Sequence, residues 1–137
     1  MTRSPEFQKP LAWSALNVAD YDALLLPGGH APGMRQYLGS LELQNKIGDF
    51  WSLQRPVAAI CHGPWVLCST QALKGKKATC FFAIKDDVVN AGAKYVDQEV
   101  VRDGNVITSR KPDDLPAFMT TVIQAVKEMK PAMAGAR

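Results

Sequence analysis

Val57-Ala58-Ala59-Ile60-Cys61-His62-Gly63-Pro64 reads as a buried strand that stops at a single thiol and turns into a helix. Four consecutive apolar residues suit a strand covered on both faces, as in parallel sheets packed between helices. Gly63-Pro64 breaks the strand. Pro64 falls in the first turn of the helix predicted over Trp65–Leu73, where a missing N–H does no harm. Strand, nucleophile, small residue and helix form the layout of a nucleophile elbow. In such a turn the nucleophile takes an unfavourable backbone conformation and its side chain stands above the sheet. The positive end of the following helix is expected to favour thiolate and lower the thiol pKa.

Tyr21-Asp22-Ala23-Leu24-Leu25-Leu26 is a second short apolar run, ended by Pro27-Gly28-Gly29. It predicts a buried strand feeding a tight turn. Between the two strands, Ser40 is placed to cap a helix through Leu41, Leu43, Ile47, Phe50 and Trp51, whose spacings follow one helical face. Arg55-Pro56 ends it. Beyond the elbow the sequence predicts a turn at 74–77, a strand at 78–82 and a short helix at 84–91 closed by Gly92. Strands follow at Tyr95-Val96 and Glu99–Val101. Asp103-Gly104-Asn105 makes a hairpin turn into Val106–Thr108. A last helix runs from about Asp113 to Lys130, with Val122, Ile123, Val126 and Met129 as its apolar stripe. Residues 1–19 read as a loop or one short helix, and 131–137 as a frayed tail. The alternation of strands and helices predicts one α/β domain over 1–137 with a mainly parallel sheet.

Composition narrows the function. Net charge is +3 and the 16 basic residues are scattered, which argues against nucleic acid. No apolar run approaches 18 residues, so no membrane span is expected. The opening residues, 1–10, lack the apolar stretch of a secretory signal. Three cysteines at irregular spacing make no disulfide framework and suggest reduced thiols in a cytosolic protein. No metal is expected, because no paired ligand spacing occurs. No cofactor is expected either, because Gly28-Gly29 lacks the remaining features of a phosphate loop.

In open parallel sheets, sites form beyond the carboxyl ends of the strands. That places Gly28, Gly29 and His30 beside Cys61 and His62. Cys61 is the candidate nucleophile; free cysteines elsewhere are usually inert core residues, and Cys68 and Cys80 are read that way. His62 is the candidate base or thiolate partner, or else a polar turn residue. His30 lines the pocket or is a solvent-facing loop residue. Gly28 and Gly29 are an ordinary tight turn, or else supply an N–H that joins that of His62 in an oxyanion hole.

These stretches resemble the ThiJ/PfpI superfamily, of the class I glutamine amidotransferase-like kind. The resemblance rests on Leu-Leu-Leu-Pro-Gly-Gly (24–29), Pro-Val-Ala-Ala-Ile-Cys-His-Gly-Pro (56–64), Leu-Lys-Gly-Lys-Lys-Ala-Thr (73–79), Ile-Lys-Asp-Asp-Val-Val-Asn-Ala-Gly-Ala (84–93) and the run from Val100 to Phe118. It extends from about Asp20 to Val126 and is nearest to the PfpI-like intracellular cysteine proteases. It implies a flavodoxin-like three-layer sandwich, a dimer or larger oligomer, Cys61 and His62 as the reactive pair, and backbone roles for Gly28 and Gly29. Fold and elbow are shared across such a family while activity is not. The resemblance spans peptidases, glyoxalase-III-type hydratases, protein deglycases, isonitrile hydratases, holding chaperones and oxidation sensors.

Two departures bear on the site. Family members usually open with a strand, helix and strand that supply a carboxylate to the sulfur, and here only about twenty residues precede the Pro-Gly-Gly strand. The expectation is an N-terminally truncated sandwich that associates with itself or a partner to cover its open side. Gly33 stands where PfpI-like members carry a glutamate, so the acid of a triad is unassigned, with Asp86, Asp113 and Asp114 as substitutes and Asp113 as a pocket residue. The expected function is a thiol enzyme acting on a small reactive carbonyl such as methylglyoxal, or its adduct on protein. Peptide hydrolysis is the next reading, followed by a chaperone or redox sensor without turnover, and then by an inactive fragment.

Overall fold

Three short apolar runs make the parallel part of the sheet. In the computed structural model, which describes residues 10–29 and 38–133, β1 (Leu24–Leu26), β2 (Val57–Ile60), β5 (Val100–Asp103) and β6 (Val106–Ser109) form a four-stranded sheet in the order β1-β2-β6-β5. β1 pairs β2 and β2 pairs β6 in parallel, whereas β5 and β6 form the antiparallel hairpin. A second, two-stranded parallel sheet joins β3 (Lys77–Ala78) to β4 (Lys94–Tyr95). The helices are α1 (Leu41–Ser52), α2 (Pro64–Leu67), α3 (Lys85–Asn90) and α4 (Leu115–Met133).

Alternation along the strands sends side chains to two opposite cores. Val57, Ala59, Val106 and Leu26 pack on one face with Leu43, Ile47 and Phe50 of α1, Val66 and Leu67 of α2, and Val88 of α3. Ala58, Ile60 and Ile107 pack on the other with Phe118, Val122 and Ala125 of α4. The result is the three-layer α/β sandwich expected. Ser40 caps α1 as read, its Oγ accepting from Leu43 N–H.

Several boundaries differ from the sequence reading. α2 lasts one turn, not the nine residues predicted. Thr70 Oγ1 donates to the Leu67 carbonyl and accepts from Ala72 N–H, so the chain after Cys68 closes into turns instead of helix. The strand at 78–82 is cut to Lys77–Ala78, and Phe82–Ile84 is a 3₁₀ turn. In α4 the buried stripe is Phe118, Val122 and Ala125, while Ile123 is exposed. That helix continues through Pro131 to Met133, where the sequence predicts fraying. Within the lead-in, Trp13–Ala15 and Val18–Asp20 are 3₁₀ turns. Lys46 Nζ holds the Leu16 carbonyl at 2.6 Å, and Nη1 of the buried Arg55 holds those of Val18 and Tyr21 at 2.6 Å each.

Candidate active site

The elbow forms where the sequence puts it, at the carboxyl end of β2. Cys61 sits at φ 64°, left-handed backbone that a side chain rarely adopts. Three hydrogen bonds hold it there. Cys61 N–H donates to the Ser109 carbonyl at the end of β6, Gly63 N–H donates to the Ile60 carbonyl across the turn, and Phe81 N–H donates to the Cys61 carbonyl. The bend also depends on glycine. A Cβ on Gly63 would lie 2.1 Å from the Leu26 carbonyl oxygen and 2.9 Å from that of Ile60. One on Gly28 would lie 2.9 Å from both Cys61 Cβ and His62 N. β1 and the elbow therefore touch backbone to backbone, and Gly28 lies against the reactive turn. Gly29 is open: a Cβ there would meet nothing within 4 Å.

Cys61 Sγ is half-buried and lies 3.3 Å from Nδ1 of His62. Neighbours in sequence here do face each other. The His62 ring is flanked by Phe81, with centroids 4.7 Å apart, and by Trp65 at 6.4 Å. The exposed Phe82 ring stacks 4.6 Å from Phe81 at the rim. Trp65 is itself held by its indole N–H, which donates to Asp87 Oδ2 at 2.9 Å.

The electrostatics depart from expectation. Burial pushes the Cys61 thiol above its usual 9.0 and outweighs the His62 backbone N–H, which points to the sulfur and pulls the other way. A helix of four residues does not reverse this. Burial together with the Asp87 charge pushes Cys68 up to about 11, and burial above all pushes Cys80 up to about 12. Cys80 is a buried core thiol, as read from the sequence, and Cys68 is half-buried.

The substitute acids do not reach the pair. Asp114 is buried because it clamps Arg110: its carboxylate accepts from Nε at 2.9 Å, Nη2 at 3.1 Å and the Arg110 backbone N–H at 3.1 Å. Asp113 is exposed in the 3₁₀ turn Pro112–Asp114, and Asp86 is exposed in the first turn of α3. Neither makes a hydrogen bond or ion pair with Cys61 or His62 among the described residues. His30 and Gly33 lie outside the described residues. No group of three metal-ligating side chains occurs among the described residues. Sequence reasoning missed Trp65, Phe81 and Asp87 as neighbours of the pair. The aromatic spacing after the elbow was the available signal.

Known proteins share this fold. Residues 6–125 match the model of the DJ-1/PfpI family. Deglycase PfpI of Pyrococcus furiosus is 42% identical over 118 residues, covering 85% of this chain and 69% of that protein. Protein/nucleic acid deglycase 2 of Escherichia coli is 51% identical over 102 residues, covering 73% of this chain and 58% of that one. Among solved structures, Drosophila melanogaster DJ-1beta superposes with a TM-score of 0.70 at 31% identity, over 85% of this chain and 67% of that one. The chain spans about two thirds of the length of most curated relatives it matches.

Proposed function

The chain belongs to the DJ-1/PfpI family, and on that premise we propose that it is a cysteine-dependent deglycase that acts on reactive-carbonyl adducts through Cys61. The observation that carries the reading is the 3.3 Å approach of Cys61 Sγ to His62 Nδ1 on a left-handed elbow. Several relatives sharing 42–51% identity bear the name deglycase.

In this reading the Cys61 proton passes to His62 Nδ1 and the sulfur forms a bond to the carbonyl carbon. The C=O electron pair moves onto oxygen. The His62 N–H and an N–H of Gly28 or Gly29 receive that oxyanion. Burial raises the Cys61 thiol above its usual 9.0, which favours transfer of its proton to His62 as the C–S bond forms. With a methylglyoxal adduct the amine or thiol leaves the carbinol carbon with a proton, and Cys61 holds the freed aldehyde carbon as a hemithioacetal. The hydrogen on that carbon then shifts to the neighbouring ketone carbon, so that one carbon is oxidised to a thioester as the other is reduced to an alcohol. Water hydrolyses the thioester to lactate and the free thiol.

No helix of the described residues is long and apolar enough to cross a membrane. Its free thiols support the reading of a cytoplasmic protein. We also infer self-association. Leu25 of β1 is 44% exposed, and Leu11, Trp13 and Tyr21 are exposed in the lead-in, which suits burial against another copy.

The test is turnover of methylglyoxal-treated N-acetyllysine and N-acetylcysteine. Cys61→Ser is expected to lower kcat by about 1000-fold or more and His62→Ala by about 100-fold or more. Full activity in Cys61→Ser overturns the reading.

A further inference from the structure

We infer that the cavity behind Trp65 is a subsite for the ammonium or guanidinium end of a basic side chain, carried by the polypeptide on which Cys61 acts. The identity of that polypeptide as substrate rests on the reading above; the binding itself does not.

The cavity measures about 330 Å³ and is built from Trp65, Cys68, Asp87 and Asn90, with Leu38 and Ala91 among its apolar walls. That size lies at the small end of ligand sites and suits a side chain better than a nucleotide. Its charge is one-sided. Among the described residues, Asp87 is its charged wall residue and no Lys or Arg lines it. Lys85, on the same helix, lies over the Tyr95 ring at 4.9 Å. Cys68 stays a neutral thiol at pH 7, because burial and the Asp87 carboxylate hold it up at about 11.

Its geometry favours an organic cation. Asp87 is fixed by the Trp65 indole N–H on Oδ2, which leaves Oδ1 for a second donor. The indole supplies a π surface that attracts a cation, and the Asn90 amide supplies a neutral polar group. A metal ion is a poor fit, since no three ligating side chains converge among the described residues. The indole is also shared with the reactive pair: its centroid is 6.4 Å from the His62 ring.

The experiment follows the Trp65 indole N–H by nitrogen-proton NMR. The chain has three tryptophans, and Trp65→Phe identifies the signal. Titration with n-propylammonium and methylguanidinium is expected to shift it saturably, and neutral 1-propanol to act about 10-fold more weakly or less. Asp87→Asn is expected to weaken the cations by about 10-fold, while Asp87→Glu retains most of the response. Equal shifts from propanol and propylammonium, or unchanged binding in Asp87→Asn, overturn the subsite. If Asp87→Asn does not fold, the wild type decides: raising salt from about 0.01 M to about 0.5 M must weaken propylammonium, and salt-insensitive binding overturns the proposal. A wild type that shifts this signal yet turns over no carbonyl adduct refutes the function alone. Turnover without the shift refutes the subsite alone.

Discussion

Cys61 differs from the other two cysteines by access and by its neighbours, not by a lowered pKa. All three thiols are held above their usual value by burial. Among the described residues, only Cys61 has an imidazole nitrogen at 3.3 Å and a strained backbone that lifts it from the sheet. Iodoacetamide at pH 8 is expected to label Cys61 first, at least about 10-fold faster than Cys68 or Cys80, as read by peptide mass spectrometry. The rate should still be climbing at pH 9, because thiolate appears only as pH approaches the raised value. The same sign governs stability. A fold that prefers the protonated thiols gains from them below 9.0 and loses that gain as pH rises through the higher folded values. Two glycines separate steric from chemical roles. Gly63→Ala, whose methyl would meet the Leu26 carbonyl at 2.1 Å, is expected to cost about 3 kcal/mol in chemical denaturation. Gly29→Ala meets nothing within 4 Å and should leave the denaturation midpoint unchanged. A matching loss in both variants would contradict this account.

The hairpin β5-β6 and α4 are joined by Arg110, which follows β6 and is held by Asp114 and, at 3.0 Å, by Asp97. The Arg110 guanidinium keeps the Asp114 carboxyl below its ordinary 3.8. Stability from this clamp is complete above that ordinary value and is lost as pH falls through the lowered one. Asp114→Asn is expected to cost about 2 kcal/mol at pH 7 and much less at pH 2, measured by urea unfolding at both values. An equal loss at both pH values would refute the electrostatic origin. The same scale shows what the sequence could tell. α1 was legible because Ser40, Leu43, Ile47 and Phe50 agree in cap and period. β2 and the elbow were legible because an apolar run meets Cys-His-Gly-Pro. The end of α2 was not, because Thr70 closes the chain through two hydrogen bonds that periodicity does not encode. Ile123 misled the stripe of α4: it is apolar, but it faces solvent. Within the site, Cys61 and His62 were readable as neighbours in the chain. Asp87, 22 residues after Trp65, depends on tertiary packing and was not.

Across the whole molecule, the described four-stranded sheet has two edge strands, β1 and β5. β1 pairs β2 alone among the described strands, and Leu25 shows 44% of its surface. Light scattering during gel filtration at about 50 μM is expected to give a mass of at least twice 15.0 kDa. A monomer at that concentration would contradict self-association. Leu25→Lys should shift the population toward smaller species while leaving Cys61 labelling intact.

The backbone contact between Leu26 and Gly63 carries one more consequence. The three residues of β1, hydrogen-bonded to a single neighbour among the described strands, form one wall of the seat on which the reactive sulfur rests. Short edge segments open at lower cost than central ones. Warming should therefore loosen that wall while the remainder of the sheet still holds. Catalytic power would then fade at temperatures where circular dichroism reports an intact protein, and return on cooling.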